Sequence, residues 1–248
     1  MIGIIGGTGL QNIDALNIIR ESFIDTPYGK PSDKVVVGKL ENRDVVFLPR
    51  HGNEHTVPPH LINYRANIYA LKSLGIEAIF SVATVGSIPN LIKPGSIVIP
   101  HQIIDYTYGR EHTYFDGITK PVSHIDFTNP YNSKLRKLLC ANDSLKDINF
   151  VKEGVYAAVQ GPRLETAAEI DRYEKDGATI VGMTGMPEAS LAKELDIPYA
   201  AICPVANFAA GRVTSKDGIT HEEINETSEM MALNVSKYLR AVIEAYGN

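Results

Sequence analysis

Two glycine-containing segments hold the residues of this chain whose types and spacing are best suited to chemistry. Residues 161–166 read GPRLET, and residues 182–188 read GMTGMPE. Each follows an apolar run predicted to be a strand and precedes a predicted helix. Open α/β folds place ligand-contacting groups at such junctions. Glu165 is the most informative residue, because an ionised carboxylate only accepts hydrogen bonds and therefore selects ligands by their donors.

Three shorter segments have the composition of anion sites, and each also fits a plain turn. Residues 6–9, GGTG, lack the glycine order of a dinucleotide fingerprint, which leaves a tight turn or a small anion loop. Residues 49–55 carry Arg50 and His51, which either bind an anion or end a solvated loop. Residues 83–87, ATVGS, either bring backbone amides to a ligand or form a turn.

Strand and helix patterns alternate along the chain and predict the elements that position these segments. Strands are predicted at 2–5, 34–40, 44–48, 78–84, 96–100, 154–160, 179–183 and 199–205. Helices are predicted at 61–74, 134–141, 166–175, 187–195 and after Thr220, which forms a capping-box pattern with Glu223. Residues 211–218 are predicted to be a mobile loop over a site. The alternation predicts an α/β fold with a mixed central sheet, partly barrel-like and flanked by helices.

Length and composition predict one large domain spanning residues 1–248. The chain has 44% hydrophobic and 21% charged residues, enough for a packed core. Its net charge of −5 gives no reason to expect nucleic acid as a partner. The sequence shows no signal-peptide pattern, no membrane-length apolar run and no metal-ligand cluster, which predicts a cytoplasmic enzyme without a metal. Cys140 and Cys203 are expected to be small buried residues rather than a disulfide.

Longer segments of the chain resemble the purine nucleoside phosphorylase family, in the branch that includes methylthioadenosine phosphorylase. The resemblance is carried by residues 6–10, 50–55, 63–72, 161–166 and 182–193, so it extends over nearly the whole sequence. It implies the nucleoside phosphorylase fold and cleavage of a purine nucleoside by inorganic phosphate. It also implies that phosphate is the co-substrate, that no cofactor is needed, and that the enzyme is a homotrimer.

The same resemblance implies which residues hold phosphate and sugar. The implied phosphate ligands are Thr8, Arg50, His51, Thr84 and Thr184. Several donors and a positive field suit an anion that attacks the anomeric carbon. Met183 is implied to pack against the ribose, although a core methionine is the simpler interpretation of its position. His124 is implied to reach into the sugar pocket of a neighbouring subunit.

The base site is where the chain departs from methylthioadenosine phosphorylase. Glu165 and Asn207 match the pair that 6-oxopurine phosphorylases use, with Leu164 and Ala209 beside them. A carboxylate accepts the N1 proton of hypoxanthine or guanine but faces the lone pair of adenine. Asn207 is expected to donate to the departing base. Asn207 and His51, the latter from the phosphate set, are therefore the candidate catalytic residues. The alternatives are a dipole-stabilised carboxylate at a helix start for Glu165 and a turn residue for Asn207.

The 5′ end of the sugar is expected to meet the last helix. Thr227 occupies the position where enzymes for ordinary nucleosides carry a histidine, and His221 lies nearer the helix cap. A neutral environment suits a 5′-methylthio group. The resemblance therefore implies phosphorolysis of S-methyl-5′-thioinosine to hypoxanthine and 5-methylthioribose 1-phosphate. The alternatives are phosphorolysis of inosine or guanosine, phosphorolysis of methylthioadenosine, hydrolysis by water, and nucleoside binding without catalysis.

Overall fold

A computed structural model describes residues 1–7, 16–142, 144–145 and 148–246. The strands in these residues are β1 (Ile2–Gly6), β2 (Asn17–Ser22), β3 (Val35–Leu40), β4 (Arg43–Pro49), β5 (Ala78–Val82), β6 (Val85–Ser87), β7 (Ile97–Val98), β8 (Gln102–Asp105), β9 (Phe150–Val151), β10 (Val155–Ala158), β11 (Ile180–Gly182) and β12 (Tyr199–Phe208). The helices are α1 (Tyr64–Ser73), α2 (Ser133–Ala141), α3 (Ala167–Lys175), α4 (Gly185–Glu194) and α5 (His221–Ala245), with 3₁₀ turns at Pro59–Leu61 and Val213–Ser215.

The strands form one mixed sheet in the order β2-β3-β4-β1-β5-β12-β6-β11-β10-β8, and β7 pairs with β12 and β9. The central strands β4, β1, β5 and β12 are parallel, whereas β2, β3 and β4 are joined as antiparallel neighbours. The predicted mixed sheet flanked by helices is confirmed. Within the described residues β2 and β8 remain the two ends of the sheet, so the expected barrel-like curvature stops short of a closed barrel.

Helices cover both faces of the central strands. Ile4 of β1 belongs to an apolar cluster that includes Leu239 of α5 and Leu139 of α2. Its neighbour Ile5 belongs to a second cluster on the opposite face, with Ile68 of α1 and Leu191 of α4. Parallel strands buried on both faces read as continuous apolar runs rather than alternating ones. This is why strands β1, β5 and β12 could be located from the sequence alone.

Side-chain caps fix where the helices begin. Thr166 and Thr220 each form the reciprocal capping box with the third helical residue, as the sequence predicted for α5. The predicted helix over 61–74 was too long at its start. Asn63 caps α1 by accepting from the Ala66 N–H, so the helix starts at Tyr64, and Leu61 lies exposed in the preceding 3₁₀ turn.

Three segments near the predicted site differ from expectation. Residues 85–87, predicted as part of a turn, form β6 between β11 and β12. Asn207 lies within β12, beyond the predicted end of that strand and at a register shift against β6. Residues 211–218 do not line the main cavity, and Arg212 pairs with Asp171 and Glu174 instead, so the predicted position over a site was wrong.

Candidate active site

A cavity of about 930 Å³ lies where β1, β4 and β5 end, and α5 lines another of its sides. Eight of the residues predicted from the sequence line it together: Arg50, His51, Thr84, Leu164, Glu165, Met183, Thr184 and Asn207. They come from five separate parts of the chain. The carboxyl ends of parallel strands are the usual position of ligand sites in open α/β sheets, which makes this cavity the candidate active site.

Arg50, at the end of β4, is almost completely buried and is already held by protein groups. Its Nε and Nη2 donate to the Glu188 carboxylate at 2.6 and 2.9 Å. Nη2 also donates to Ser81 Oγ at 2.6 Å, and Nη1 donates to the Val82 carbonyl at 2.8 Å. Because a guanidinium has five N–H groups, one N–H of Nη1 is left without an acceptor in the described part of the chain. The planar fork of Arg50 thus holds Glu188, and one donor remains for a ligand.

His51 is neutral and presents an acceptor to the cavity. Burial, followed by the charge of Arg50, lowers the pKa of His51 to about 4. Its Nδ1 lies 2.8 Å from the Val57 carbonyl oxygen, which can only accept, so Nδ1 carries the proton. The unprotonated Nε2 of neutral His51 therefore accepts a hydrogen bond. As a phosphate ligand, His51 would therefore accept from a protonated phosphate rather than donate to an oxyanion.

Small and hydroxyl residues complete the surroundings of Arg50. A Cβ on Gly7 would lie 2.8 Å from Nη1 of Arg50 and 2.7 Å from the Val82 carbonyl, so this position requires glycine. Thr184 occupies the N-cap of α4, but its side chain does not cap the helix and instead lines the cavity. Thr84 lines the same cavity. Both threonines therefore contribute neutral polar groups to the lining beside Arg50.

Glu165 is not the carboxylate that stabilises the start of α3. Glu169 closes the capping box with Thr166, and it also holds Arg163 through two bonds of 2.8 and 2.7 Å. Glu165 has no ion-pair partner within the described residues and accepts from its own backbone N–H. Burial raises the pKa of the Glu165 carboxyl. The helix-start interpretation therefore applies to Glu169, which leaves Glu165 available to a ligand.

Asn207 offers one donor and one acceptor to the cavity. Its Nδ2 donates to the Phe208 carbonyl at 2.7 Å, which leaves its second N–H and Oδ1 without a partner among the residues described. Gly86 of β6 lies beside it, and a Cβ there would be 3.5 Å from Nδ2 of Asn207 and 3.5 Å from Cα of Ala209. Asn207 is therefore a strand residue aimed at the cavity rather than a turn residue.

The other predicted residues have different positions relative to the cavity. Leu164 and Met183 line it. Ala209 is buried next to Gly86 but is not part of the lining. His124 is exposed and does not line the cavity of its own chain. Thr8 lies outside the described residues.

One face of α5 forms a wall of the cavity, as expected for the last helix, but the residues of this face were not those predicted. The lining residues are Ile224, Asn225, Ser228, Glu229, Ala232, Leu233 and Ser236, which recur at helical spacing. Thr227, predicted at this wall, is half-buried but does not line the cavity, and the His221 side chain lies outside the described part. The Ser228 and Ser236 hydroxyls are buried without a hydrogen-bond partner within the described residues.

The described residues also bear on metal sites, membrane spans and the two cysteines. No group of three or more His, Cys, Asp or Glu side chains among them has a metal-binding arrangement. None of their helices combines the length and the apolar character that crossing a membrane requires. Cys140 and Cys203 are both free thiols, half-buried and buried respectively.

Comparison with proteins of known sequence gives close relatives over most of the chain. A protein of Pseudomonas syringae pv. tomato named "Probable S-methyl-5′-thioinosine phosphorylase" is 50% identical over 223 residues, which are 90% of each chain. The 6-oxopurine nucleoside phosphorylase of Pyrococcus furiosus is 43% identical over 247 residues, covering 98% of this chain and 91% of that protein.

Solved structures show the same fold. Methylthioadenosine phosphorylase from Schistosoma mansoni, in complex with adenine, superposes with a TM-score of 0.93 at 30% identity, covering 99% of this chain and 91% of that one. The family model described as "Phosphorylase superfamily" matches residues 1–244. With the fold, the relatives and the cavity in agreement, the chain belongs to the phosphorylase superfamily.

Proposed function

We propose that this protein catalyses the phosphorolysis of S-methyl-5′-thioinosine to hypoxanthine and 5-methylthioribose 1-phosphate. A phosphate oxygen forms a bond to C1′ while the C1′–N9 bond breaks. The electron pair of the broken C1′–N9 bond leaves with the base, which then takes up a proton. The observation that carries the proposal is the placement of Glu165 and Asn207 in one cavity with Arg50. Relatives named for this activity at about half identity support it.

In this proposal Glu165 and Asn207 distinguish a 6-oxopurine from a 6-aminopurine. The Glu165 carboxylate accepts the N1 proton of the 6-oxopurine. Asn207 has one N–H left after its bond to Phe208, and this N–H donates to N7 or O6 as negative charge builds on the leaving base. Adenine would place its N1 lone pair against Glu165, so the site disfavours 6-aminopurines.

Phosphate is proposed to lie beside Arg50, His51, Thr84 and Thr184, with Thr8 as a further ligand. The remaining N–H of Arg50 and the two threonine hydroxyls donate to its oxygens. His51 accepts at Nε2 from the hydroxyl of a protonated phosphate or of the ribose. An anion held next to C1′ stabilises the positive charge that develops on the sugar.

The 5′ substituent is proposed to lie against the wall of α5. Apolar Val57, Ile224 and Leu233 line the cavity and suit a methylthio group. Phosphorolysis of inosine or guanosine is the second candidate, because the Ser228 hydroxyl has no partner in the described residues and suits a 5′-hydroxyl. The Pyrococcus furiosus relative is named a 6-oxopurine nucleoside phosphorylase, which supports the same alternative.

We further propose that residues 1–248 act as a single catalytic domain, in a cytoplasmic homotrimer, with phosphate as co-substrate and no cofactor. The family resemblance supports the trimer. His124 is exposed and away from the cavity of its own chain, which suits a role in the site of a neighbouring subunit.

Withholding phosphate tests the reaction class. We expect release of hypoxanthine from methylthioinosine to depend on inorganic phosphate, with 5-methylthioribose 1-phosphate as the second product. The rate is measured in phosphate-free buffer and across a phosphate titration. Undiminished release without phosphate would mean hydrolysis, and tight nucleoside binding without turnover would mean a binding protein.

The raised pKa of Glu165 predicts a pH-dependent selectivity. The ionised carboxylate accepts the N1–H more strongly than the protonated carboxyl does, so turnover of methylthioinosine falls as the pH drops through the raised pKa of Glu165. The protonated carboxyl can instead donate to N1 of adenine. The preference for methylthioinosine over methylthioadenosine therefore decreases on acidification. The ratio of the two kcat/KM values is taken at each pH, because the effect of phosphate ionisation is the same for both substrates and cancels in the ratio. A ratio that does not fall on acidification, over the pH range in which the protein stays folded, would contradict the proposal.

A further inference from the structure

Arg110 is a buried cation that the proposed chemistry does not use. It lies in the segment between β8 and α2 and is 8% exposed. Its Nη1 is within hydrogen-bond distance of the Met183 carbonyl at 2.8 Å and the Met186 carbonyl at 2.6 Å. Its Nη2 donates to the Gln160 carbonyl at 2.8 Å and the Val159 carbonyl at 3.2 Å. The guanidinium therefore contacts the backbone immediately before residues 161–166 and on both sides of Thr184, without lining the cavity itself.

Arg110 forms no ion pair with a carboxylate in the described part of the chain. None of the ion pairs found there includes Arg110, and the adjacent Glu111 pairs with Arg65 at 2.7 Å. The Tyr64 hydroxyl, 3.1 Å from Nη1, donates to the Pro59 carbonyl. Burial raises the pKa of Tyr64, so this hydroxyl stays neutral.

The other cationic groups at the cavity contribute little net charge. Arg50 is paired with Glu188 through two bonds, so their charges cancel. His51 has its proton on Nδ1 facing the Val57 carbonyl and is neutral at physiological pH. A phosphate dianion placed among these groups would meet donors but almost no net positive field.

We propose that Arg110 supplies the local positive charge that holds phosphate next to Thr184 in this cavity. Its guanidinium contacts the carbonyls of Met183 and Met186, which flank Thr184, so the charge lies close to the backbone of a proposed phosphate ligand. Arg110 is a positioning residue that touches no substrate, and its field acts through a buried region where water screens charges weakly. The inference rests on the proposed phosphate site.

Charge-keeping and charge-removing variants separate this role from structural support. Arg110→Lys keeps the cation but loses the fork, whereas Arg110→Gln keeps donors but loses the charge. Arg136→Gln is the matched control, because Arg136 also donates to two backbone carbonyls, of Pro100 and Lys152 at 2.8 Å each, and does not line the cavity. For each protein the KM values for phosphate and methylthioinosine, kcat, and binding of inorganic phosphate by calorimetry are measured.

We expect Arg110→Gln to raise the phosphate KM and Kd by about tenfold or more, with kcat at saturating phosphate and the nucleoside KM changed less than about threefold. Arg110→Lys should keep phosphate affinity within about threefold of the wild type, and Arg136→Gln should match the wild type. Equal losses in the lysine and glutamine variants, or none in the glutamine variant, would overturn the proposal.

The lysine variant decides the matter if Arg110→Gln does not fold. Retained phosphate affinity without the fork supports the charge, and lost affinity in a folded lysine variant contradicts it. Wild-type protein that neither binds phosphate nor needs it for turnover would refute the proposed function itself. That outcome is established before any variant is interpreted, so the two failures are distinguishable.

Discussion

Changing Glu165 to glutamine is expected to remove most of the preference for 6-oxopurines. The carboxylate only accepts, so it suits the N1–H of hypoxanthine and opposes the N1 lone pair of adenine. A glutamine amide has both a donor and an acceptor and can meet either base. We expect kcat/KM for methylthioinosine to fall by about 10–100-fold, since a charge-assisted hydrogen bond contributes about 1.5–3 kcal/mol. Turnover of methylthioadenosine should rise, bringing the two substrates to within about tenfold of each other.

The matched control for this variant is Glu174→Gln on α3, the helix that follows Glu165. Glu174 is exposed, pairs with Arg212 and does not line the cavity, so its loss should leave the substrate ratio unchanged. Steady-state kinetics with both nucleosides at fixed phosphate give the comparison. A Glu165→Gln enzyme with wild-type kinetics would remove the basis for the proposed base site.

Replacing Glu188 with alanine should cost about 3–5 kcal/mol of unfolding free energy, because it leaves the Arg50 charge buried without a partner. Both side chains are 1% exposed. Ser81 Oγ and the Tyr199 hydroxyl also donate to Glu188, at 2.6 and 2.8 Å, and would lose their acceptor. Burial opposes the charge of Glu188, but Arg50 and these bonds outweigh it and lower the pKa of its carboxyl.

Urea denaturation measures this loss, with the slope against denaturant expected to stay constant. The control is Glu174→Ala, which breaks the surface pair with Arg212, and such pairs contribute about 0–1 kcal/mol. A loss below about 1 kcal/mol for Glu188→Ala would show that Arg50 does not depend on this carboxylate.

Local signals in the sequence were sufficient to locate the strand ends and helix starts that build the site. The capping box of Thr220 and Glu223 is a contact across three residues, and it placed the start of α5 correctly. The apolar run of β1 and the glycine that follows it indicated the carboxyl end of the central strands, where the cavity lies. These features depend on neighbouring residues, so a single sequence contains them.

The properties that decide the chemistry depend on distant partners and were not predictable. Arg50 and Glu188 are 138 positions apart, so only the fold shows that the Arg50 fork is already occupied. The direction of the His51 bond is set by the Val57 carbonyl. Asn207 belongs to β12 because the strand continues through a register shift against β6, an irregularity that no periodic pattern indicates.

The most direct test of the central claim is the ratio of kcat/KM for methylthioinosine to that for methylthioadenosine, measured with wild-type protein in phosphate buffer. If Glu165 and Asn207 read the 6-position, methylthioinosine should be preferred by roughly 10⁴, the discrimination that a buried polar site achieves against a mismatched isostere. Equal or faster turnover of methylthioadenosine would contradict the account.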